Sequence, residues 1–175
     1  MSKTVDRVVC EDRKVTVLVR TVARTDGTTE EKVVIVHPGA VVILALTEDG
    51  SMVFIRNHRV ALGETLLELP AGTLEPSEDP LLCAHRELQE ETGYEAARLE
   101  PLCEFVTAPG FCTERMFAFE ACDLTHVGQA LEPDEDITVE FIPIEEVFER
   151  MRLGAIQDGK TLAALAVYFA KNPIK

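Results

Sequence analysis

The sequence lacks the long apolar run that a membrane-spanning helix requires. No stretch approaches about 18 consecutive apolar residues, and the N-terminal segment MSKTVDRVVCEDRK has no apolar core of the kind that signal peptides carry. We therefore expect a soluble, cytoplasmic protein that is not associated with a membrane.

Cysteine is scarce, and its spacing carries no motif. The five cysteines are an odd number, and none forms a CxxC pair. This pattern predicts neither a disulfide framework nor a structural zinc site.

Basic residues are also few. The chain has 17 Lys and Arg residues against 31 Asp and Glu residues, which gives a formal net charge of −14. Such a charge disfavours binding to nucleic acid or to an anionic membrane. A substrate that carries phosphate would need cations from solution, which is a first indication that a metal takes part.

The 175 residues show no internal repeat, low-complexity tract or clear linker, so one domain is the simplest organisation. Strand-like runs cover residues 14–23 and 31–37, and the Asp26-Gly27 turn between them predicts a hairpin. Further strands are expected over residues 40–46 and 52–56. Their apolar runs are continuous, which indicates a sheet covered on both faces.

The rest of the chain mixes helices and strands. Ser77 can cap a helix over residues 79–92, Pro80 suits its first turn, and Gly93 ends it. Strands near residues 99–106, 116–121 and 137–142 and helices over about 144–152 and 160–170 follow. These elements predict an α/β or α+β domain in which helices pack on a mixed sheet.

The first of these helices carries an unusual group of carboxylates. Glu87, Glu90 and Glu91 lie at spacings that point them to nearly the same side, at the edge of the Leu81, Ala84 and Leu88 stripe. Each such pair costs an isolated helix roughly 0.2–0.5 kcal/mol, and Arg86 is the cation placed to offset the repulsion. A solvated acidic face is one interpretation. The other is a site for a hard cation such as Mg²⁺, which prefers several oxygen ligands.

The loop before the helix supports the second interpretation. In the segment LPAGTLEPSE, Ala71-Gly72 is expected to form a turn that aims a backbone carbonyl outward, because glycine adopts such conformations at little cost. Glu75 and Glu78 add carboxylates near the start of the helix.

Gly72, Glu78 and the run Arg86-Glu87-Leu88-Gln89-Glu90-Glu91-Thr92-Gly93-Tyr94 together resemble the Nudix box, Gx5Ex7REUxEExGU, at every specified position. The resemblance implies a Nudix fold and hydrolysis of a nucleoside diphosphate linked to another group, with water attacking phosphorus. It also implies two or three Mg²⁺ ions, or Mn²⁺ in their place.

The resemblance assigns roles by position. It implies that Glu87 and Glu91 are the principal metal ligands, that Glu90 is another ligand or the base, and that the Ala71 carbonyl is a backbone ligand. Arg86 would orient the glutamates. The structural positions of the box are Gly72, Glu78, Leu88 and Gly93, of which Leu88 would lie in the core.

Segments outside the box resemble the ADP-ribose pyrophosphatase subgroup of this family. They are PGFCTE, which begins at Pro109, IRNHRVALGETLLELPAG and MRLGAIQDGKTLAALAVY. By that analogy Gly110, Phe111 and Glu114 line the site, and Glu114 touches the metal-bound water or the terminal ribose. Ala108 stands where the subgroup often has serine, which removes a possible hydroxyl contact to the terminal sugar.

Two more groups of residues are candidates. The acidic loop EPDEDI would bring Glu135, and also Asp134, over the metals as a ligand or general base, unless the loop is simply solvated. Arg56 and Arg59 would contact phosphate or adenine, although surface ion pairs are an alternative for both. Glu90, Glu114 and Glu135 all remain candidates for the base.

The resemblance implies hydrolysis of ADP-ribose to AMP and ribose 5-phosphate. Other nucleoside diphosphate sugars, such as GDP-mannose, are the main alternative substrates, and a module that senses nucleotides without catalysis is a third hypothesis. We expect residues 1–38 to form strands that pair two subunits and residues 39–175 to form the hydrolase domain. In such a homodimer Arg20 or Arg24 would reach the adjacent subunit's site.

Overall fold

The computed structural model describes residues 5–131 and 135–173. Within these ranges the chain forms ten strands and three helices, in the order β1 (Val5–Glu11), β2 (Thr16–Ala23), β3 (Thr29–Val36), β4 (Ala40–Leu46), β5 (Ser51–Arg59), β6 (Glu64–Glu68), β7 (Ala71–Thr73), α1 (Pro80–Thr92), β8 (Tyr94–Val106), β9 (Arg115–His126), β10 (Ile137–Pro143), α2 (Ile144–Arg152) and α3 (Gly159–Lys171). None of the described helices combines the length and the apolar character needed to cross a bilayer.

The N-terminal strands form a separate antiparallel sheet in the order β1-β2-β3. The predicted hairpin is confirmed: the amide of Arg24 donates to the carbonyl of Thr28 at 2.8 Å, and Gly27 has φ +85°. Strand β1 was not predicted, because its residues are exposed on both faces and show no apolar alternation. Only its pairing with β2 defines it as a strand.

The main sheet has the order β10-β5-β4-β9-β8, with β6 paired to β5 and β7 paired to β4. Its β4–β9 contact is parallel, whereas the other pairs are antiparallel. The sheet is therefore mixed, as the sequence predicted.

Strand β4 separates two hydrophobic cores. Val41 and Ile43 face one core, which includes Cys83, Ala84 and Leu88 of helix α1. The alternate residues, Val42 and Leu44, face the other, to which α2 and α3 contribute Val147, Ala164, Leu165, Tyr168 and Phe169. The prediction of a sheet covered on both faces, and hence of a sheet between helices, is confirmed.

Two details of the predicted α1 region were wrong. The N-cap is Asp79, whose carboxylate accepts the amide of Leu81 at 2.8 Å, whereas Ser77 lies outside the helix with φ +65°. Leu81, which was expected at the core, is exposed, and Cys83 is buried there. Both Ser77 and Asp79 are favourable capping residues, so the sequence alone could not decide between them.

The segment expected to turn at Ala71-Gly72 is instead the short strand β7. Ala71 pairs with Val42 and Gly72 with Val41, so the segment runs antiparallel to β4. This pairing places β7 directly beside helix α1. Strand β6 was also not predicted, since it is only five residues long.

Candidate active site

Helix α1 presents its glutamates to the end of the sheet. Asp79 caps the helix, Pro80 occupies its first turn, and Gly93 ends it in the left-handed conformation with φ +78°. Side chains on the inner face are buried, and they include Glu87 and Glu91 together with Leu88. The predicted position of Leu88 in the core is therefore observed.

Arg86 organises the carboxylates around it. Its guanidinium donates from Nη1 to Glu87 at 2.7 Å and to Glu90 at 3.0 Å, and it donates to both oxygens of Glu78 at 3.0 Å. The hydrogen bonds from Arg86 lower the pKa of Glu78 to about 2. A single cation thus holds three box glutamates in one network, as the resemblance implied.

Glu91 is the most buried of the α1 carboxylates, with 2% of its surface exposed. Burial raises its pKa to about 8, and the hydrogen bond that it accepts from the Ala71 amide at 2.7 Å opposes this rise. Burial likewise raises the pKa of Glu87. Both carboxylates lack enough positive charge nearby to compensate their desolvation.

Gly72 allows the carboxylate of Glu87 to approach the backbone of β7. A Cβ atom built at Gly72 would overlap the carboxylate carbon and both oxygens of Glu87. Any other residue at position 72 would have to displace this glutamate. The box glycine is therefore needed for close approach and not for a positive φ angle.

The described residues contain no three His, Cys, Asp or Glu side chains that converge closely enough to enclose an ion. Oxygens of Glu87 and Glu90 both accept from Nη1 of Arg86. The donor set suits a hard divalent cation, since it offers several carboxylate oxygens, some of them buried, that share a single cation. The residues that would hold the ion are Glu87, Glu90 and Glu91.

A cavity of about 460 Å³ opens in front of these carboxylates, and we call it the glutamate cavity. Its wall includes Arg86, Glu87, Glu90, Glu91 and Glu135. The charge of Glu135 contributes to the raised pKa values of Glu87 and Glu91 after the larger effect of burial, and its role as a ligand or base stays a prediction. Asp134, the other candidate in that loop, lies outside the described residues.

A second cavity of about 600 Å³ shares β7 with the first, and we call it the larger cavity. Arg59 and the β7 residues Ala71, Gly72 and Thr73 line both cavities. Much of its wall is apolar, from Ala61, Leu62, Leu66, Phe105, Val106, Met116 and Ala163. The two cavities thus meet at one arginine and one short strand.

The two predicted arginines of β5 have different positions. Arg59 lies at the boundary of the cavities, where its Nε atom donates to Glu68 at 2.7 Å. Arg56 donates to Glu140 on the neighbouring strand at 2.8 Å, and it is not among the described residues that line either cavity. The structure therefore brings only Arg59 to the candidate site.

The PGFCTE loop is attached to the end of β3. The amide of Ile35 donates to the Phe111 carbonyl at 2.7 Å, and the amide of Thr113 donates back to the Ile35 carbonyl at 2.9 Å. The carbonyl of Ala108 accepts the amides of Phe111 and Cys112 within the loop. Ala108, Gly110 and the exposed Phe111 are not among the described residues that line the two cavities.

Glu114 lines the larger cavity and not the glutamate cavity. Its carboxylate accepts a hydrogen bond from Thr107 at 2.6 Å, and it lies 3.6 Å from Nε2 of His37. Glu114 therefore shares no cavity wall with Glu87 and Glu91.

Several residues at the site were not predicted from sequence. Arg13 and Lys14, in the connection between β1 and β2, line the glutamate cavity of their own chain. Within the single chain Arg20 and Arg24 pair with Asp6 and Glu30, and their reach to an adjacent subunit's site stays a prediction. The Arg13-Lys14 pair offered a weak signal, as adjacent cations in an acidic chain.

Comparison with known proteins identifies the family. Residues 36–165 match the model of the NUDIX domain. The chain is 35% identical over 152 residues to the ADP-ribose pyrophosphatase of Bacillus subtilis, an alignment that covers 86% of this chain and 82% of the relative. It is 37% identical over 152 residues to the methanol dehydrogenase activator of Bacillus methanolicus, with the same coverage.

A third relative is named for a different substrate. The GDP-mannose pyrophosphatase of Enterobacter sp. is 36% identical over 137 residues, which cover 73% of this chain and 71% of the relative. Among solved structures, the crystal structure of an ADP compounds hydrolase matches with a TM-score of 0.85 at 21% identity, and the match covers 98% of this chain and 96% of that one. The protein described here belongs to the NUDIX domain family.

Proposed function

We propose that this protein hydrolyses the diphosphate bond of ADP-ribose to AMP and ribose 5-phosphate, with Mg²⁺ as the metal and Mn²⁺ as a substitute. The observation that carries the proposal is the junction of the two cavities at Arg59 and β7. A diphosphate at this junction would have the glutamates on one side and space for a sugar or base on the other.

The cations around the glutamate cavity support binding of an anion in a chain whose net charge is −14. Arg13, Lys14, Arg59 and Arg86 all line this cavity. Guanidinium groups bind phosphate oxygens through paired hydrogen bonds, and lysine contributes a point charge. These residues would bind and orient the diphosphate.

The glutamates would hold two or three divalent ions, with Glu87, Glu90 and Glu91 as side-chain ligands and the Ala71 carbonyl as a backbone ligand. When bound, such ions neutralise a diphosphate and acidify water. Arg86 keeps Glu87 and Glu90 oriented, and the Ala71 amide holds Glu91. Glu135 faces the same cavity, where its carboxylate would accept the proton from the attacking water.

Glu114 would contact the terminal ribose from the larger cavity. Its carboxylate is already oriented by Thr107, so it can accept hydrogen bonds from sugar hydroxyls without further ordering. The roles of Ala108, Gly110 and Phe111 remain predictions from the resemblance.

GDP-mannose is the second candidate substrate, because relatives at 36% identity carry the name GDP-mannose pyrophosphatase. Both substrates present a diphosphate between a nucleoside and a sugar. The polar residues at the cavity junction would bind the diphosphate of either substrate.

We also propose a homodimer formed by residues 1–38, with residues 39–175 as the hydrolase domain. The family match begins at residue 36, which supports this boundary. Strand β1 supports the dimer, because Val5, Val8 and Val9 are all more than half exposed in the single chain. A cytoplasmic location stays a prediction from the sequence.

The test is to incubate the purified protein with Mg²⁺ and a panel of ADP-ribose, GDP-mannose and ADP-glucose. We expect AMP and ribose 5-phosphate from ADP-ribose and no product after addition of EDTA. Faster release of GMP from GDP-mannose would favour the second candidate. Tight binding of ADP-ribose by metal-replete protein without any product would instead indicate a nucleotide sensor.

A further inference from the structure

A buried carboxylate lies behind the junction of the two cavities. Glu68, the last residue of β6, has no exposed surface, yet it contacts two cations. Arg59 donates to one of its oxygens from Nε at 2.7 Å and to the other from Nη2, and Lys160 also binds that second oxygen. Burying a carboxylate this completely is expensive unless its charge is compensated, as it is here.

The three residues come from separate parts of the chain. Arg59 ends β5, Glu68 ends β6, and Lys160 lies in the first turn of α3. Strands β5 and β6 form a hairpin in which Arg59 pairs with Glu64 and Ile55 pairs with Glu68, so the Arg59 side chain reaches along β6 to Glu68. The Leu69 amide donates to Thr161 of α3 at 2.9 Å. Rigid elements therefore hold both cations at the cavity wall.

Both cations retain hydrogen-bond donors after they bind Glu68. Arg59 has five N–H groups and uses two of them on this carboxylate. Lys160 has three N–H groups and donates one to Glu68, and its Nζ atom forms an ion pair with Asp158 at 3.0 Å. Asp158 in turn caps α3 by accepting the amide and the hydroxyl of Thr161. Its negative charge is thus partly offset by the helix N-terminus.

We propose that Lys160 is a substrate-binding residue and that Glu68 is a positioning residue that holds Lys160 and Arg59 together. The pair of cations would bind the phosphoryl group that faces the larger cavity, opposite the glutamates of α1. This inference rests on the proposed function, because it requires a diphosphate at the cavity junction. It adds to that function a phosphate contact from α3, which the Nudix box does not include.

A purely structural role for Lys160 makes a different prediction. If Lys160 only attached α3 to the sheet, its removal would lower the thermal midpoint and leave the affinity for substrate unchanged. A residue that contacts the bound phosphate changes the KM value instead, and the change depends on positive charge at that position. Arginine, which keeps the charge, should therefore restore affinity where methionine does not.

The experiment compares Lys160→Met and Lys160→Arg with Lys171→Met as a matched control. Lys171 lies at the opposite end of the same helix, is exposed, and donates to the Leu102 carbonyl at 2.8 Å. With ADP-ribose and Mg²⁺ we expect Lys160→Met to raise KM about tenfold, which is typical of a lost charge-assisted hydrogen bond, with kcat changed less than about twofold. Lys160→Arg should recover most of the affinity, and Lys171→Met should match the wild type.

An unchanged KM in a folded Lys160→Met variant would overturn the inference while leaving the proposed hydrolysis intact. A raised KM that Lys160→Arg does not lower would also overturn it, because charge would then not be the cause. If the wild type hydrolyses GDP-mannose and not ADP-ribose, the same comparison is made with GDP-mannose, which has the same diphosphate. A wild type inactive on both would refute the proposed function itself.

Discussion

Two arginine clusters flank β7, and they differ in how they are built. Arg86 binds Glu78, Glu87 and Glu90, which are all within eight positions of it along the chain. Arg59 binds Glu68, nine positions away, and the same carboxylate binds Lys160, which is 92 positions from Glu68. Apart from Glu78, which precedes α1, the first cluster follows from helical spacing, whereas the second exists only because β5, β6 and α3 pack together.

The clusters also differ in their balance of charge. Around Arg86 three carboxylates share one cation, and Glu91 lies nearby, so the region has an excess of negative charge. Around Glu68 two cations share that carboxylate and Asp158, which lies 3.0 Å from Lys160, so positive and negative charges balance. An added cation is therefore stabilised more by the first cluster than by the second.

Replacement of a glutamate in the first cluster should have the largest effect. Glu91→Gln keeps the shape of the side chain and its ability to accept the Ala71 amide, but it removes the charge that a divalent ion requires. Loss of a residue that orients a metal ligand typically lowers metal affinity or activity 10- to 100-fold. Loss of the ligand itself should therefore lower kcat for AMP release at least about 100-fold.

The control is Glu95→Gln, which neutralises an exposed glutamate just beyond the same helix. It should keep the wild-type rate. A Glu91→Gln variant with normal, EDTA-sensitive activity would show that the first cluster does not need the charge of Glu91 to hold a divalent ion.

The second cluster should contribute more to folding than a similar pair at the surface. Glu68→Gln leaves Arg59 and Lys160 without their common carboxylate, and we expect a loss of about 3 kcal/mol in the free energy of unfolding. The matched variant is Glu140→Gln, because Glu140 also binds two cations, Arg56 of β5 and Arg150 of α2, but its side chain is 27% exposed. Its loss should be at most about 1 kcal/mol.

Urea unfolding followed by circular dichroism measures both values. Equal losses in the two variants would contradict the greater contribution of the buried pair. A greater loss of unfolding free energy in Glu140→Gln than in Glu68→Gln would contradict it as well.

Gly72→Ala tests how tightly the first cluster is packed against β7. The added methyl group would overlap the Glu87 carboxylate, so the glutamate or the strand must move. Overpacking of this kind costs roughly 1–2 kcal/mol, and the thermal midpoint should fall accordingly. Gly110→Ala is the control for stability, since a Cβ atom there meets no atom within 4 Å. Equal thermal midpoints for the two variants would contradict the close approach at Gly72.

The smallest effect is expected from the two arginines of β5. Arg59→Gln should lower kcat/KM for ADP-ribose about tenfold, because its guanidinium faces both cavities. Arg56→Gln should change kcat/KM less than about twofold, because Arg56 pairs with Glu140 away from the cavities. A larger fall in kcat/KM for Arg56→Gln than for Arg59→Gln would support the prediction from sequence that Arg56 contacts the substrate.

The sequence predicted most of the secondary structure and the composition of the first cluster. The α1 helix, the N-terminal hairpin and the strands around β4 all follow from periodicity and from the turn and cap residues at their ends. Strands β1, β6 and β7 were missed, since short or exposed strands have no apolar pattern of their own and are defined by their partners.

The same contrast holds for the site. Glu87, Glu90, Glu91 and Arg86 lie on one helix, so their spacing alone determined that they would lie together. Whether Arg56 or Arg59 lines the cavities, and which cavity Glu114 lines, depends on strand register and loop docking. Contacts such as Glu68–Lys160 join residues whose distance along the chain carries no information about their distance in space. Only the packing of β6 against α3 decided that contact.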